Sequence, residues 1–252
     1  MTFDWVIVSL AIPDDARVDR RVPKKLLVEQ GAPTAADKRQ IQDGIEEMSW
    51  IAALKPTNIA VPAFRDDIRE YLEIAVVTAS FRASAKPARI VELIHRAIPY
   101  PLVLLAGHGG TVSFSLAHKR KSQGEKGKVV IEDVHCTSPF RPDTPTAQEA
   151  SFLASLAVSS LPALSLFALY QGWIDCVAAL EASQITGKFA LPKSTDQAAA
   201  VRDNLNIHAD LQNKLGVLRS QAKKEKQIKR RVELNLEIKR LESELTAAKA
   251  AL

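Results

Sequence analysis

Apolar and polar positions change their rhythm several times along the chain. Residues 4–12 form a short apolar run that reads as a strand or extended segment and ends at Pro13-Asp14-Asp15. The basic stretch that follows has Pro23 in its middle, so it reads as irregular or as a helix start with proline in the first turn. After Gly31-Ala32-Pro33, Thr34 is a fitting N-cap. Ile41, Ile45, Met48 and Ile51 then recur at helical spacing, predicting a helix over 35–54. Residues 57–64 read as a short edge strand confined by Pro62, and residues 69–81 as a central strand. Lys86-Pro87 opens a helix whose apolar face is Ile90, Val91, Leu93, Ile94, Ala97 and Ile98; Pro99 and Pro101 end it.

Residues 102–106 are a continuous apolar run, and residues 111–117 alternate, with Val112, Phe114 and Leu116 on one side. Gly107-His108-Gly109-Gly110 lies between them. Two strand signals around a glycine-rich loop predict a hairpin, because glycine takes the positive φ angles that such turns require. Residues 128–134 form one more strand. Residues 137–146 hold three prolines and read as a linker. Helices are predicted over 147–161 and 163–185, with Gly187 as C-cap. Beyond residue 199 there is no proline and one glycine, Gly216. Leu211, Leu215 and Leu218 recur at alternating spacings of four and three, as do Leu234, Ile238, Leu241 and Leu245, the pattern of a coiled-coil seam in two halves out of phase. A lone seam cannot bury itself, so these residues are expected to bind a partner or a second copy. The expected class is α+β: a mixed or antiparallel sheet with helices packed on it (1–140), a helical hairpin on that sheet (147–190), and a long C-terminal coiled-coil helix (199–252).

Charge adds a second layer. The chain has 34 Lys+Arg and 29 Asp+Glu for a net +5. Residues 223–231 (KKEKQIKRR) hold six of the basic residues and one acid, and removing them leaves 28 of each sign. The excess therefore sits in one segment of the tail. Two further clusters, residues 17–25 and 119–128, each carry net +4. Such blocks suit an anionic partner, nucleic acid first, and the alternative is a solvated surface. The candidate phosphate contacts are Arg17, Arg20, Arg21, Lys24, Lys25, Lys119, Arg120, Lys121, Lys223, Lys224, Lys226, Lys229, Arg230 and Arg231. The two cysteines, Cys136 and Cys176, form no Cys-x-x-Cys pair and read as free thiols. The N-terminus lacks a basic n-region, and the apolar stretch 150–173 is interrupted by Pro162 and serines. A cytoplasmic protein away from the membrane is expected.

Signatures of chemistry are sparse. No Gly-x-Ser-x-Gly elbow accompanies the glycine-rich loop, so an acyl-transfer reading fails and His108 reads as a loop-tip residue. Neither a dinucleotide fingerprint nor a phosphate loop is present. His118 and the pair His135-Cys136 lie near strand ends without metal-ligand spacing, and no cofactor or metal is expected. The enzymatic alternative is a Mg²⁺-dependent restriction-type nuclease. Its candidate carboxylates are Glu70, Glu73, Glu132 and Asp133, but no strand carries Asp/Glu-x-Lys.

Three blocks carry a family resemblance: residues 18–24 (VDRRVPK), residues 50–59 (Trp before Thr-Asn-Ile) and residues 97–101 (AIPYP). In this order they resemble the bacterial family known as domain of unknown function 4391, over about residues 10–185. The resemblance implies no established activity and transfers no catalytic residues. It implies a genetic association with DNA methyltransferases and helicases in restriction-like or phage-defence islands. The expectation is therefore a non-catalytic accessory subunit of a bacterial DNA-processing system. It would bind DNA non-specifically through its basic clusters, and a helicase, a methyltransferase or another copy of itself through the coiled coil.

Overall fold

The computed structural model describes residues 3–124 and 129–252. It is a mixed α/β architecture whose centre is a six-stranded sheet in the order β1-β2-β5-β6-β7-β8. The strands are β1 (Arg17–Arg21), β2 (Ile45–Leu54), β5 (Ile74–Phe81), β6 (Leu102–His108), β7 (Thr111–Lys121) and β8 (Val129–Cys136). A two-stranded ribbon, β3 (Phe64–Arg65) with β4 (Glu70–Tyr71), stands beside it. All neighbouring strands of the large sheet run antiparallel except β5 and β6, which pair in parallel without interruption from Ala75–Leu102 to Phe81–His108. The expected mixed sheet with helices packed on it is present.

Parallel neighbours need a crossover, and α5 (Pro87–Ala97) supplies it. Proline fits its first turn, where the missing N–H costs nothing. Its Ile90, Leu93 and Ile94 are wholly buried against Ala75, Val77 and Ala79 of β5 and Leu102 and Leu104 of β6. Helices α2 (Lys24–Gly31) and α3 (Ala35–Gly44) extend this layer, contributing Leu27 and Ile41. Thr34 caps α3 by accepting from the Asp37 amide at 3.1 Å. The Asp37 carboxylate also takes the Arg89 guanidinium at 2.8 Å, which ties α3 to α5 and holds that acid down at about 2. A side chain at Gly31 would place its Cβ 2.6 Å from that of Ala97, so this glycine sets the approach of α2 to α5.

The opposite face of the sheet packs on α6 (Ala147–Ser155) and the first part of α7 (Leu166–Thr186). Phe114 of β7 meets Phe152 edge-on, with ring centroids 5.9 Å apart. Tyr170 is fully buried and places its hydroxyl between two strands. That oxygen lies 2.8 Å from the carbonyl of Leu102 and 3.1 Å from that of Ala117, and it accepts from the Ala117 amide at 2.9 Å. Trp173 donates to the Leu156 carbonyl at 2.9 Å.

Several elements differ from the sequence expectation. Residues 4–12 hold the short helix α1 (Asp4–Ser9), which buries Val6, with Leu10 buried just beyond its end. The basic stretch is ordered as edge strand β1 followed by α2, with Pro23 as N-cap. The predicted helix over 35–54 ends at Gly44, and the rest is β2. Bulges between Ile45 and Glu47 and between Trp50 and Ala52 break the alternation of β2, so its buried Ile45, Met48 and Ile51 imitate helical spacing. The Thr57-Asn58-Ile59 segment is a single turn, α4 (Pro56–Ile59). Its Asn58 side chain accepts from the Lys55 amide at 2.7 Å and donates to the Ala53 carbonyl at 2.9 Å. The glycine-rich loop is the expected hairpin turn. His108 pairs with Thr111, and Gly109 and Gly110 take φ of 58° and 82°. Gly107 is a different case: it lies within β6, and a Cβ there would meet the Phe3 ring at 2.6 Å.

The chain divides into two compact units, the second running from Ala178 to Leu252. Within it the expected single C-terminal helix is two, α8 (Thr195–Lys224) and α9 (Ile228–Ala250). Asn204 bonds to the Ala251 carbonyl at 2.9 Å and Arg219 to Glu242 at 2.7 Å, so the pair is antiparallel. The break falls at residues 225–227, inside the basic run, where the two seams lose phase.

Tyr170→Phe is expected to cost about 1–3 kcal/mol, because the buried Ala117 amide and the Leu102 carbonyl each lose a partner. Urea denaturation of the purified variant measures it, and an unchanged midpoint would refute a structural role for that hydroxyl.

Candidate functional site

Residues 18–24, 50–59 and 97–101 lie far apart in the chain, yet the fold brings members of each to one cleft. Val22 from the first, Trp50 from the second, and Ala97, Pro99 and Tyr100 from the third line it, together with Leu26 and Gln30 of α2. The cavity measures about 240 Å³. Each wall has a local cause. Trp50 projects from β2 to the α2–α5 side of the sheet, and its indole N–H donates to the Ala52 carbonyl at 2.7 Å, which fixes the ring. Tyr100 stands on the turn between α5 and β6, held between two prolines, and the residue is about half exposed (47%). Arg20 pairs with Trp50 in the β1–β2 register, so both side chains leave the sheet on the same face.

Beneath that turn lies Lys119, only 4% exposed. Its ammonium donates to the carbonyls of Ile98 and Tyr100. Alternation along β7 explains this: Ser113, Ser115, Ala117 and Lys119 face the α5 side. Burial pushes its pKa down to about 7. Next to it His95 is fully buried, with Nε2 2.9 Å from the Ser115 hydroxyl, and burial followed by the Lys119 charge lowers its pKa well below the usual range. Lys119 was expected among the phosphate contacts. The structure buries it instead, with its ammonium bonded to two carbonyls and out of reach of a phosphate. Lys24 is half-buried: its Nζ donates to the carbonyls of Gln42, at 3.2 Å, and Ile45. Burial, with Arg82 and Arg21 nearby, lowers its pKa.

The remaining basic residues lie at separate places. Arg17, Arg20 and Arg21 are exposed on edge strand β1. Arg17 is bound to Asp19 at 2.9 Å, Arg21 lies 3.9 Å from Glu47, and Lys25 lies 3.7 Å from Glu29. Arg20 has no carboxylate partner among the described residues. Arg120 and Lys121 border a second, polar cleft of about 900 Å³ with Arg69, Glu70 and Glu132, and Lys121 donates to the Asp66 carbonyl at 2.9 Å. The rest of that cluster, residues 125–128, lies outside the described residues. Lys223, Lys224, Lys226, Lys229, Arg230 and Arg231 are all exposed and surround the turn joining α8 to α9; of these, Arg230 is bound to Glu233 at 2.9 Å.

The expected partner-binding residues turn inward on each other. Leu211, Leu215 and Leu218 of α8 pack with Ile238, Leu241, Leu245 and Ala248 of α9, and Leu234 is also buried. The seam that could not bury itself as one helix does so once the chain folds back.

Three of the four acidic candidates are ion-pair partners, and the fourth, Asp133, is exposed on β8. Glu73 lies 3.2 Å from Lys55, Glu132 takes both oxygens to Arg69 at 2.9 Å, and Glu70 pairs with Arg65. Among the described residues no group of three or more His, Cys, Asp or Glu side chains could hold a metal ion. His118 bonds through Nδ1 to the Tyr71 hydroxyl and through Nε2 to Gln171 at 2.9 Å, and burial lowers its pKa to about 4. His108 is half-buried at the end of β6. Among the described residues, no helix is long and apolar enough to cross a membrane.

Two of the lowered bases, Lys119 and His118, give pH predictions of the same sign. The unfolded chain binds a proton on Lys119 up to about pH 10.5 and the folded chain up to about 7. Stability therefore rises with pH across that window, by up to ~1.4 kcal/mol per pH unit. Denaturant titrations at a series of pH values should show this rise in the parent chain and not in Lys119→Met; parallel curves would refute it. His118 is neutral when folded, so stability should fall as pH drops from about 6.5 toward 4, less steeply in His118→Gln.

No curated protein and no solved structure shows significant similarity to the chain. The model of one protein family, described as "Domain of unknown function (DUF4391)", matches residues 10–245, nearly the whole chain, including the cleft and most of the helical hairpin. The chain therefore belongs to the DUF4391 family.

Proposed function

We propose that this protein is a non-catalytic accessory subunit of a bacterial DNA-processing system of the phage-defence type. It holds DNA by its phosphate backbone and works beside a helicase or methyltransferase. The observation that carries this reading is the charged turn of the α8–α9 hairpin. A helix N-terminus already bears partial positive charge, so basic residues in a first turn oppose helix formation, by roughly 0.3–1 kcal/mol each. Helix α9 has no acid in its first turn and begins Ile228-Lys229-Arg230-Arg231. Lys223 and Lys224 do suit the C-terminal turn of α8. Arg230 is paired with Glu233 at 2.9 Å, whereas Lys229 and Arg231 of α9 have no such structural use, and Lys226 lies between the helices. Six cations and one acid, Glu225, at a single turn make a compact positive end that matches an array of phosphates. Exposed Arg20, Arg21 and Lys25 offer a second contact of the same kind.

Contacts of this type carry affinity and no sequence information. With the leucine seam closed within the hairpin, the protein partner would meet other surfaces of the chain.

Binding to a random-sequence duplex, followed by fluorescence anisotropy across a salt series, is expected to be steeply salt-dependent and indifferent to sequence. Replacing Lys223, Lys224, Lys226, Lys229, Arg230 and Arg231 by glutamine should flatten the slope of log K against log salt by about 3–5, since each phosphate contact contributes ~0.9. Salt-insensitive binding, or a slope unchanged in the variant, would overturn the proposal.

A further inference from the structure

We infer that the cleft between Trp50 and Tyr100 receives one unpaired base of single-stranded nucleic acid, with Arg20 at its rim holding an adjoining phosphate. This rests on the nucleic-acid reading above and adds where, and in which form, the strand is held.

Two aromatic side chains, Trp50 and Tyr100, line the cleft. Trp50 is pinned by its hydrogen bond to the Ala52 carbonyl at 2.7 Å. Tyr100 is carried by the turn that Lys119 holds through the carbonyls of Ile98 and Tyr100. An indole already held by a hydrogen bond loses little freedom when another ring stacks on it, and base–aromatic stacking accepts any base because every base has a π-face. Val22, Leu27, Ala75, Val77 and Ala97 add an apolar lining. At about 240 Å³ the cavity falls below the ~300 Å³ at which enclosed ligand sites begin, so it suits one flat ring system better than a whole cofactor.

Charge decides the class of ligand. Arg20 is exposed, shares the face of Trp50, and has no carboxylate partner among the described residues. An aromatic slot beside an unpaired guanidinium matches a base and its phosphate. Bases inside a duplex are stacked on one another and cannot enter, so the cleft selects single strands.

The test uses the full chain carrying Trp5→Phe, because Trp5 is exposed and would report on its own, whereas Trp173 is fully buried. Oligo-dT, oligo-rU and a duplex are titrated, reading tryptophan emission and the anisotropy of the labelled strand. Single strands of either sugar should quench Trp50, and the duplex should bind without quenching. Tyr100→Ala, a surface change that leaves the core untouched, should weaken single-strand binding by about ten-fold and leave duplex binding unchanged. Arg20→Gln should lower the salt dependence of single-strand binding alone. Equal affinity for strand and duplex, with Trp50 unquenched and Tyr100→Ala silent, would overturn this inference and leave the phosphate-binding reading standing. Failure to bind any nucleic acid would overturn both. Single-strand binding that survives neutralisation of the hairpin turn but not Tyr100→Ala would uphold the cleft and remove the hairpin turn as the main contact.

Discussion

The parallel pairing of β5 with β6 is the constraint on which the remaining structure of the sheet unit depends. Seven consecutive residue pairs, from Ala75–Leu102 to Phe81–His108, are held in register with both sheet faces covered. Parallel neighbours cannot be joined by a tight turn, so the chain must leave the sheet, cross one face as α5 and return. That path fixes the apolar layer under α2, α3 and α5. It also places the Pro99-Tyr100-Pro101 turn at the start of β6, beside Trp50 of β2. The cleft is thus a consequence of the crossover.

Two buried hydrogen-bonding groups hold this arrangement from opposite faces. On one, the Tyr170 hydroxyl bonds to the first residue of β6 and to the middle of β7. On the other, the Lys119 ammonium bonds to the last turn before β6. An amine in so dry a place is costly when charged, as its lowered pKa reflects, and two carbonyl acceptors offset part of that cost. A charged-looking run in the sequence therefore contains one residue, Lys119, that is part of the core, and neighbours, Arg120 and Lys121, that reach the surface.

The helical hairpin follows a different rule. Its apolar residues are sparse and periodic, and the seam changes phase within KKEKQIKRR. A straight helix would leave both halves of the seam open to water. Folding back at residues 225–227 lets Leu211, Leu215 and Leu218 cover Ile238, Leu241 and Leu245 and brings six cations together at the turn. Burial of the seam and concentration of charge arise from the same break.

By itself the sequence determined the elements whose signal is local. The α5 helix between Pro87 and Pro99, the continuous apolar strand β6, the Gly109-Gly110 turn with alternating β7, and the two heptad-like seams could all be read from spacing and from the glycine and proline positions. Three separated blocks also contained residues that line one cleft. Tertiary structure decided the rest, because pairing and burial are non-local. Bulges in β2 disguised a strand as a helix. The inward side of β7 removed Lys119 from the basic surface. The fold-back of α8 onto α9 closed a seam that the sequence left open. Only the crossover between β5 and β6 brought Val22, Trp50 and Tyr100, which lie up to 78 positions apart in the chain, to the walls of one cleft.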